Sequence, residues 1–317
     1  MRGARIRYDG EMCLYHLMNR VAGEPDHLPF GDAEREQFFR LAVDLSAFYS
    51  VELLSVVVMS NHFHIVCAAP ADPPPAEEVQ RRWRSHYGDR RPEPDWSNAA
   101  VVSALGARMR DVSALCKDLE QRFAVWFNRS RPGPRRGALW AGRFKSVILE
   151  GKTALWEAVK YVEMNPVRAG LCSDPADYRF GTWGRMAGSG THPFAANLAR
   201  HLRRYLGDRA AGMSDAKVVG ELRWDLARVT ASEQGLAPEA ILAAANEARD
   251  GGGFVLTVRR RVRYWSDGAV IGSTLFVRRI AAEAIDPEGA AAKRLSPAVG
   301  LPEPDGLYAY RRIAAGC

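Results

Sequence analysis

The chain has no run of about 18 apolar residues, no CxxC pair, no internal repeat and no low-complexity tract. The first absence excludes a membrane-spanning helix. The last two exclude solenoid arrays and compositionally disordered tracts. The five cysteines, Cys13, Cys67, Cys116, Cys172 and Cys317, are odd in number and widely scattered. A secreted disulfide framework and a cysteine-based zinc site therefore lack support, and reduced buried thiols in a cytoplasmic protein are expected. Met1–Asp9 is basic, but no apolar segment follows it, so no signal peptide is expected.

What is present is ordinary globular composition. Hydrophobic residues make up 47% and charged residues 26% of 317 positions, enough for a full core. Lys and Arg total 44 against 37 Asp and Glu, a net charge of +7. An excess of that size points only weakly to a polyanionic partner, and its distribution says more. Between positions 129 and 145 there is no acid, and Arg129, Arg131, Arg135, Arg136, Arg143 and Lys145 all fall there. Trp126, Phe127, Trp140 and Phe144 are interleaved with them. Guanidinium groups neutralise phosphates and aromatic faces stack on unpaired bases. A solvated basic loop fits the same residues.

The pattern predicts two units, 1–187 and a mainly helical 188–317, with a Pro-containing insertion at 71–98. Strands are expected at 13–19, 51–59, 61–68 and 142–150, where β-branched and apolar residues are dense. A helix capped by Asp32 is expected to about Tyr49, a long one over 98–128, and a short one from Lys152 stopped by Pro166. Further helices at 194–206, 214–230 and 237–249 precede a strand-like run at 254–265.

Three features could carry chemistry. In His62-Phe63-His64 on a strand, both imidazoles share one face while Phe63 faces the other. That presents two nitrogen ligands to a divalent metal, or two half-exposed strand histidines. Tyr161 and Asn165 stand at i and i+4 on one helix face. Asn165 could complete a metal site with the histidines, leaving Tyr161 beside the bound group. The alternative is a packing tyrosine and a C-terminal asparagine cap. The basic-aromatic stretch is the third feature. Taken together, a metal, a tyrosine able to attack phosphorus and a basic surface make one active site.

These residues resemble a known family. Met59–Val66, reading Met-Ser-Asn-His-Phe-His-Ile-Val, is similar to the His-hydrophobic-His motif of the single-tyrosine HUH transposases. Tyr161–Leu171, reading Tyr-Val-Glu-Met-Asn-Pro-Val-Arg-Ala-Gly-Leu, resembles the tyrosine helix of the REP-associated tyrosine transposases. Tyr15-His16-Leu17, Trp126-Phe127-Asn128-Arg129 and Leu139–Lys145 match as well, so the likeness runs in family order from about residue 5 to 185. The resemblance implies an α+β, ferredoxin-like sandwich with a central antiparallel sheet. It implies His62, His64 and Asn165 as ligands of Mg²⁺ or Mn²⁺, with Asn165 standing where some relatives of the wider class place a glutamine. Tyr161 would be the nucleophile. The reaction would be cleavage and strand transfer of single-stranded DNA at a palindromic hairpin through a 5′-phosphotyrosine, by a monomer with no membrane partner and no small-molecule cofactor.

Two other readings compete. Replication initiators of this chemical class often carry a lysine four residues after the tyrosine, where this chain has Asn165. Relaxases more often use three histidines, and no third is expected near the pair. A hairpin-binding regulator that does not cleave is the alternative outside catalysis. The insertion at 71–98 and the residues after 188 exceed the compact family core. Tyr264–Ser273 resembles a segment of some longer members, without an assigned role.

Overall fold

β1 (Cys13–Arg20), β2 (Glu52–Val58) and β3 (His62–Ala69) form from the dense apolar runs, and almost every residue in them is buried. Strands covered on both faces lose the polar alternation of half-exposed ones. This computed structural model describes residues 12–24, 26–131, 137–233, 268–285, 295–299 and 306–311, with 235, 237, 239, 240, 243, 265, 289, 290 and 293.

α1 (Asp32–Phe48) turns Phe38, Phe39, Ala42, Leu45 and Phe48 inward, the three- and four-residue steps of an amphipathic helix. Asp32 is not its cap. Gly31 holds that position, and its N–H donates to Glu34 Oε2 at 2.8 Å, so a carboxylate three residues on satisfies the helix end. The insertion contains α2 (Ala76–Tyr87), packed on α1.

The long helix expected over 98–128 is two helices, α3 (Ala99–Met109) and α4 (Val112–Arg129). Asn98 caps the first, and Asp111 caps the second by accepting from Ser113 N–H at 2.6 Å. Apolar spacing that continues past the break conceals it, and Asp111 is its sequence signal.

After β4 (Lys145–Leu149) come α5 (Thr153–Glu163) and the single turn α6 (Asn165–Arg168), separated by Met164. Pro166 does not stop the helix. It sits in the first turn of α6, where its missing N–H costs no intrahelical bond.

α7 (Thr182–Ser189), α8 (Ala195–Leu206), α9 (Asp215–Glu233), β5 (Gly268–Gly272), α10 (Thr274–Ala284), β6 (Ser296–Val299) and β7 (Leu307–Arg311) complete the described elements. All of the expected strand-like run at 254–265 except Trp265, and most of the helix at 237–249, lie outside the described residues.

The strands form one seven-stranded sheet in the order β2-β3-β1-β4-β5-β7-β6. All neighbours are antiparallel except β4 and β5, which pair in parallel through Ile148 with Val270 and Leu149 with Ile271. The first four strands, with α1 and α4 as crossovers, have the connectivity of a ferredoxin-like α+β unit. The sheet then continues across the boundary expected near residue 188.

One face is covered by α1 and α4, where Phe38 and Trp140 pack on Phe63 at ring-centroid distances of 4.7 and 5.5 Å. α5 lies against β2 and β3, and α8 against β2, on the other side. Cys13, Cys67 and Cys116 are buried and Cys172 half-buried, all as thiols. No helix among the described residues is long and apolar enough to cross a membrane.

Candidate active site

β3 alternates as the pattern predicts. Phe63 is fully buried in the α1/α4 layer, while His62 and His64 share the opposite face with ring centroids 5.1 Å apart. His62 Nδ1 lies 2.7 Å from Asn61 Oδ1, and His64 Nδ1 lies 2.9 Å from Nε2 of His16. Burial lowers the pKa of both, that of His62 to about 4 and that of His64 well below its ordinary value. Both rings are therefore neutral at pH 7, the form a metal needs.

α5 brings Tyr161 over this face. Its ring centroid is 6.0 Å from His64 and 5.8 Å from His16, each nearly edge-on. The guanidinium of Arg168 lies over the Tyr161 ring, 5.3 Å from its centroid, and donates to the Tyr161 carbonyl at 3.3 Å. Asn165 donates its amide N–H groups to the carbonyls of Tyr161 at 2.9 Å and Val162 at 3.3 Å. It thus caps α5, and its Oδ1 lies outside those two bonds.

A third histidine does reach the pair, contrary to expectation. His16 on β1 lies opposite Val66 in register, diagonal to His64, and is fully buried. Its Nδ1 is 2.8 Å from the carbonyl oxygen of Trp265, and the Trp265 indole stacks on Tyr161 at 5.8 Å. The segment Tyr15-His16-Leu17 is conspicuous in sequence, but its partnership with His64 depends on the β1/β3 register. The Trp265 contact spans 249 positions, beyond any local signal.

The donor set fits a divalent cation. Hydrogen bonds occupy Nδ1 of both His62 and His64, which leaves each Nε2 outside them, the arrangement that outer partners impose on metal-binding histidines. The Nε2 of His16 is engaged by His64, so His16 stands behind a ligand and is not one. Among the described residues, no group of three or more His, Cys, Asp or Glu could hold a metal.

The four described cations of the cluster, Arg129, Arg131, Arg143 and Lys145, disperse. Lys145 pairs with Met18, which pairs with His64, so exposed Lys145 shares the histidine face about 10 Å away, two strand spacings on. Arg20 lies directly opposite His62 and is exposed. Sequence reasoning missed it because it belongs to no run of like charge. Arg143 is exposed.

Arg129 instead lines a cleft with Tyr87, Arg91, Arg122 and Trp126, behind the layer that covers the other face. Arg131 pairs with Glu34 at 3.1 Å and lies over Phe127. Trp140 packs among Phe30, Phe38, Phe63 and Phe123, with its N–H donated to the Glu120 carbonyl at 3.1 Å. Arg135 and Arg136 lie outside the described residues.

No family model matches the chain, and no curated protein matches it significantly. Among solved structures, a REP-associated tyrosine transposase bound to a REP hairpin is 17% identical with a TM-score of 0.38, over 61% of this chain and 90% of that one. That likeness assigns no residue a role.

Proposed function

We propose that this chain is a metal-dependent nuclease and strand transferase that cuts single-stranded DNA at imperfect hairpins through a 5′-phosphotyrosine link to Tyr161. The observation that carries the reading is the placement of the Tyr161 ring 6.0 Å from His64, on a sheet face that also bears exposed Arg20 and Lys145. A phenol, two neutral imidazoles and flanking cations suit a phosphodiester. The motif resemblance points the same way.

A Mg²⁺ or Mn²⁺ held by His62, His64 and Asn165 would polarise a phosphate oxygen as a Lewis acid. Arg20 and Lys145 hold phosphates of the incoming strand, and Arg143 adds to the same field. Tyr161 Oη forms a bond to phosphorus as the bond from phosphorus to the 3′ oxygen breaks, and the phenolic proton ends on that departing oxygen. Arg168, over the ring, offsets the negative charge on the phenolic oxygen. The phosphotyrosine conserves the energy of the broken bond, so attack by a different 3′-hydroxyl rejoins strands without an external energy source.

The test is a denaturation-resistant protein–DNA adduct with labelled hairpin DNA and Mn²⁺. Wild type is expected to form it and Tyr161→Phe to form none. An undiminished adduct in Tyr161→Phe refutes the mechanism. Hairpin binding without any adduct in wild type favours the non-cleaving regulator.

A further inference from the structure

We infer that His16 and the backbone carbonyl of Trp265 form a relay that holds His64 in a single tautomer, so that residues far beyond position 188 complete the catalytic centre. The purpose assigned to the relay rests on His64 being a metal ligand; the relay itself rests on hydrogen-bond logic alone.

A carbonyl oxygen can only accept. The Trp265 oxygen lies 2.8 Å from His16 Nδ1, so His16 carries its proton on Nδ1. His16 is 0% exposed, and its two hydrogen-bonding partners are an amide carbonyl and another imidazole. The ring is neutral there, because an unpaired buried charge is costly. A neutral imidazole with a proton on Nδ1 has a lone pair on Nε2. That lone pair is 2.9 Å from His64 Nδ1, which must therefore be the donor. His64 is left with its lone pair on Nε2, the nitrogen free of this chain of bonds.

A histidine lacking such a partner distributes its proton between both nitrogens, and one form offers the metal an N–H in place of a lone pair. The hydrogen bond at one nitrogen decides which other nitrogen can ligate. His16 is thus a positioning residue acting through His64. Trp265 serves twice, since its carbonyl anchors the relay while its indole, 3% exposed, stacks on Tyr161.

The substitutions follow from donors and acceptors. In His16→Gln, the side-chain oxygen accepts from His64 Nδ1 and the amide N–H donates to Trp265, which keeps the relay. His16→Leu removes both. Nitrogen NMR of the full-length, metal-free chain with labelled histidine reads the tautomer directly. Wild type and His16→Gln are expected to show His64 protonated on Nδ1 alone, and His16→Leu to show both nitrogens sharing the proton.

Calorimetric titration with Mn²⁺ alone should give a 10- to 100-fold loss of affinity in His16→Leu, the range for outer partners of metal ligands. His16→Gln should stay within about threefold of wild type by the same reasoning. A wild-type His64 protonated on Nε2 overturns the relay, whether or not His16→Leu folds. So does an unchanged tautomer in a folded His16→Leu. If the tautomer follows His16 while wild type binds no Mn²⁺, the relay stands and the metal reading falls.

Discussion

Glu163 ties α5, the helix that carries Tyr161, to the sheet. Its fully buried carboxylate accepts from Ser55 Oγ at 2.6 Å, from the Thr182 hydroxyl and from Trp183 N–H at 3.1 Å. Glu163→Ala takes the acceptor from the buried Ser55 hydroxyl and Trp183 N–H, leaving Thr182 only its longer contacts to Val56 O and Ser55 Oγ, and should cost about 3 kcal/mol in urea unfolding. Burial raises its pKa to about 6 from 4.5. The ionised form therefore opposes folding above pH 6, and the opposition, about 2 kcal/mol, fades as pH falls from 6 to 4.5. His192 runs the other way. Burial lowers its pKa to about 4, and its Nδ1 accepts from Phe194 N–H at 3.1 Å. Its contribution is complete above pH 6.5 and is lost as pH falls toward 4. In His192→Asn the acid-side loss should shrink, and an unaltered pH profile would show that His192 does not drive it. On the His62/His64 face of the sheet, Arg20→Gln and Lys145→Gln should each weaken hairpin binding and reduce its salt slope by about one. Equal slopes for wild type and both variants would remove these side chains from the DNA path.

At the scale of elements, Asp111→Ala deletes the cap that separates α4 from α3 and should cost about 1 kcal/mol by thermal or chemical unfolding. Gly184 permits no side chain, because a Cβ there would overlap the carbonyl of Tyr178. Gly184→Ala must part α7 from the Tyr178 backbone and should destabilise by about 1–3 kcal/mol. β1 to β4 were legible because each is a dense apolar run bounded by turn residues, whereas β5, β6 and β7, short strands in a stretch expected to be mainly helical, were not. The pair His62 and His64 was legible because strand alternation is local, and Tyr161 because it sits in a distinctive motif. The break at Asp111 was obscured by apolar spacing that runs through it. The restart at Asn165 was obscured because Pro166 suits a helix's first turn as well as its end. His16, Arg20 and Trp265 join the site through strand register and long-range closure. Periodicity carries neither.

At the scale of the molecule, β4 and β5 are the seam of the sheet, joined by a short parallel ladder. Removing everything after residue 188 would leave β4 as an unpaired edge, a template for pairing with other chains. Such a truncation should aggregate or lose its cooperative unfolding transition; a soluble, cooperatively folding 1–188 fragment would show that the first four strands suffice. Arg129→Gln, in the cleft behind the α1/α4 layer, should leave Tyr161 adduct formation intact while lowering salt-dependent affinity. The relay has a further consequence in time. His16 emerges from synthesis 249 residues before the carbonyl that orients it, an interval of roughly 12–50 s at 5–20 residues per second. For most of that interval the growing chain contains both motif histidines, and for its last part Tyr161 as well, with no fixed tautomer at His64. The proposed strand-cutting centre would thus reach its working state only after residue 265 has been made.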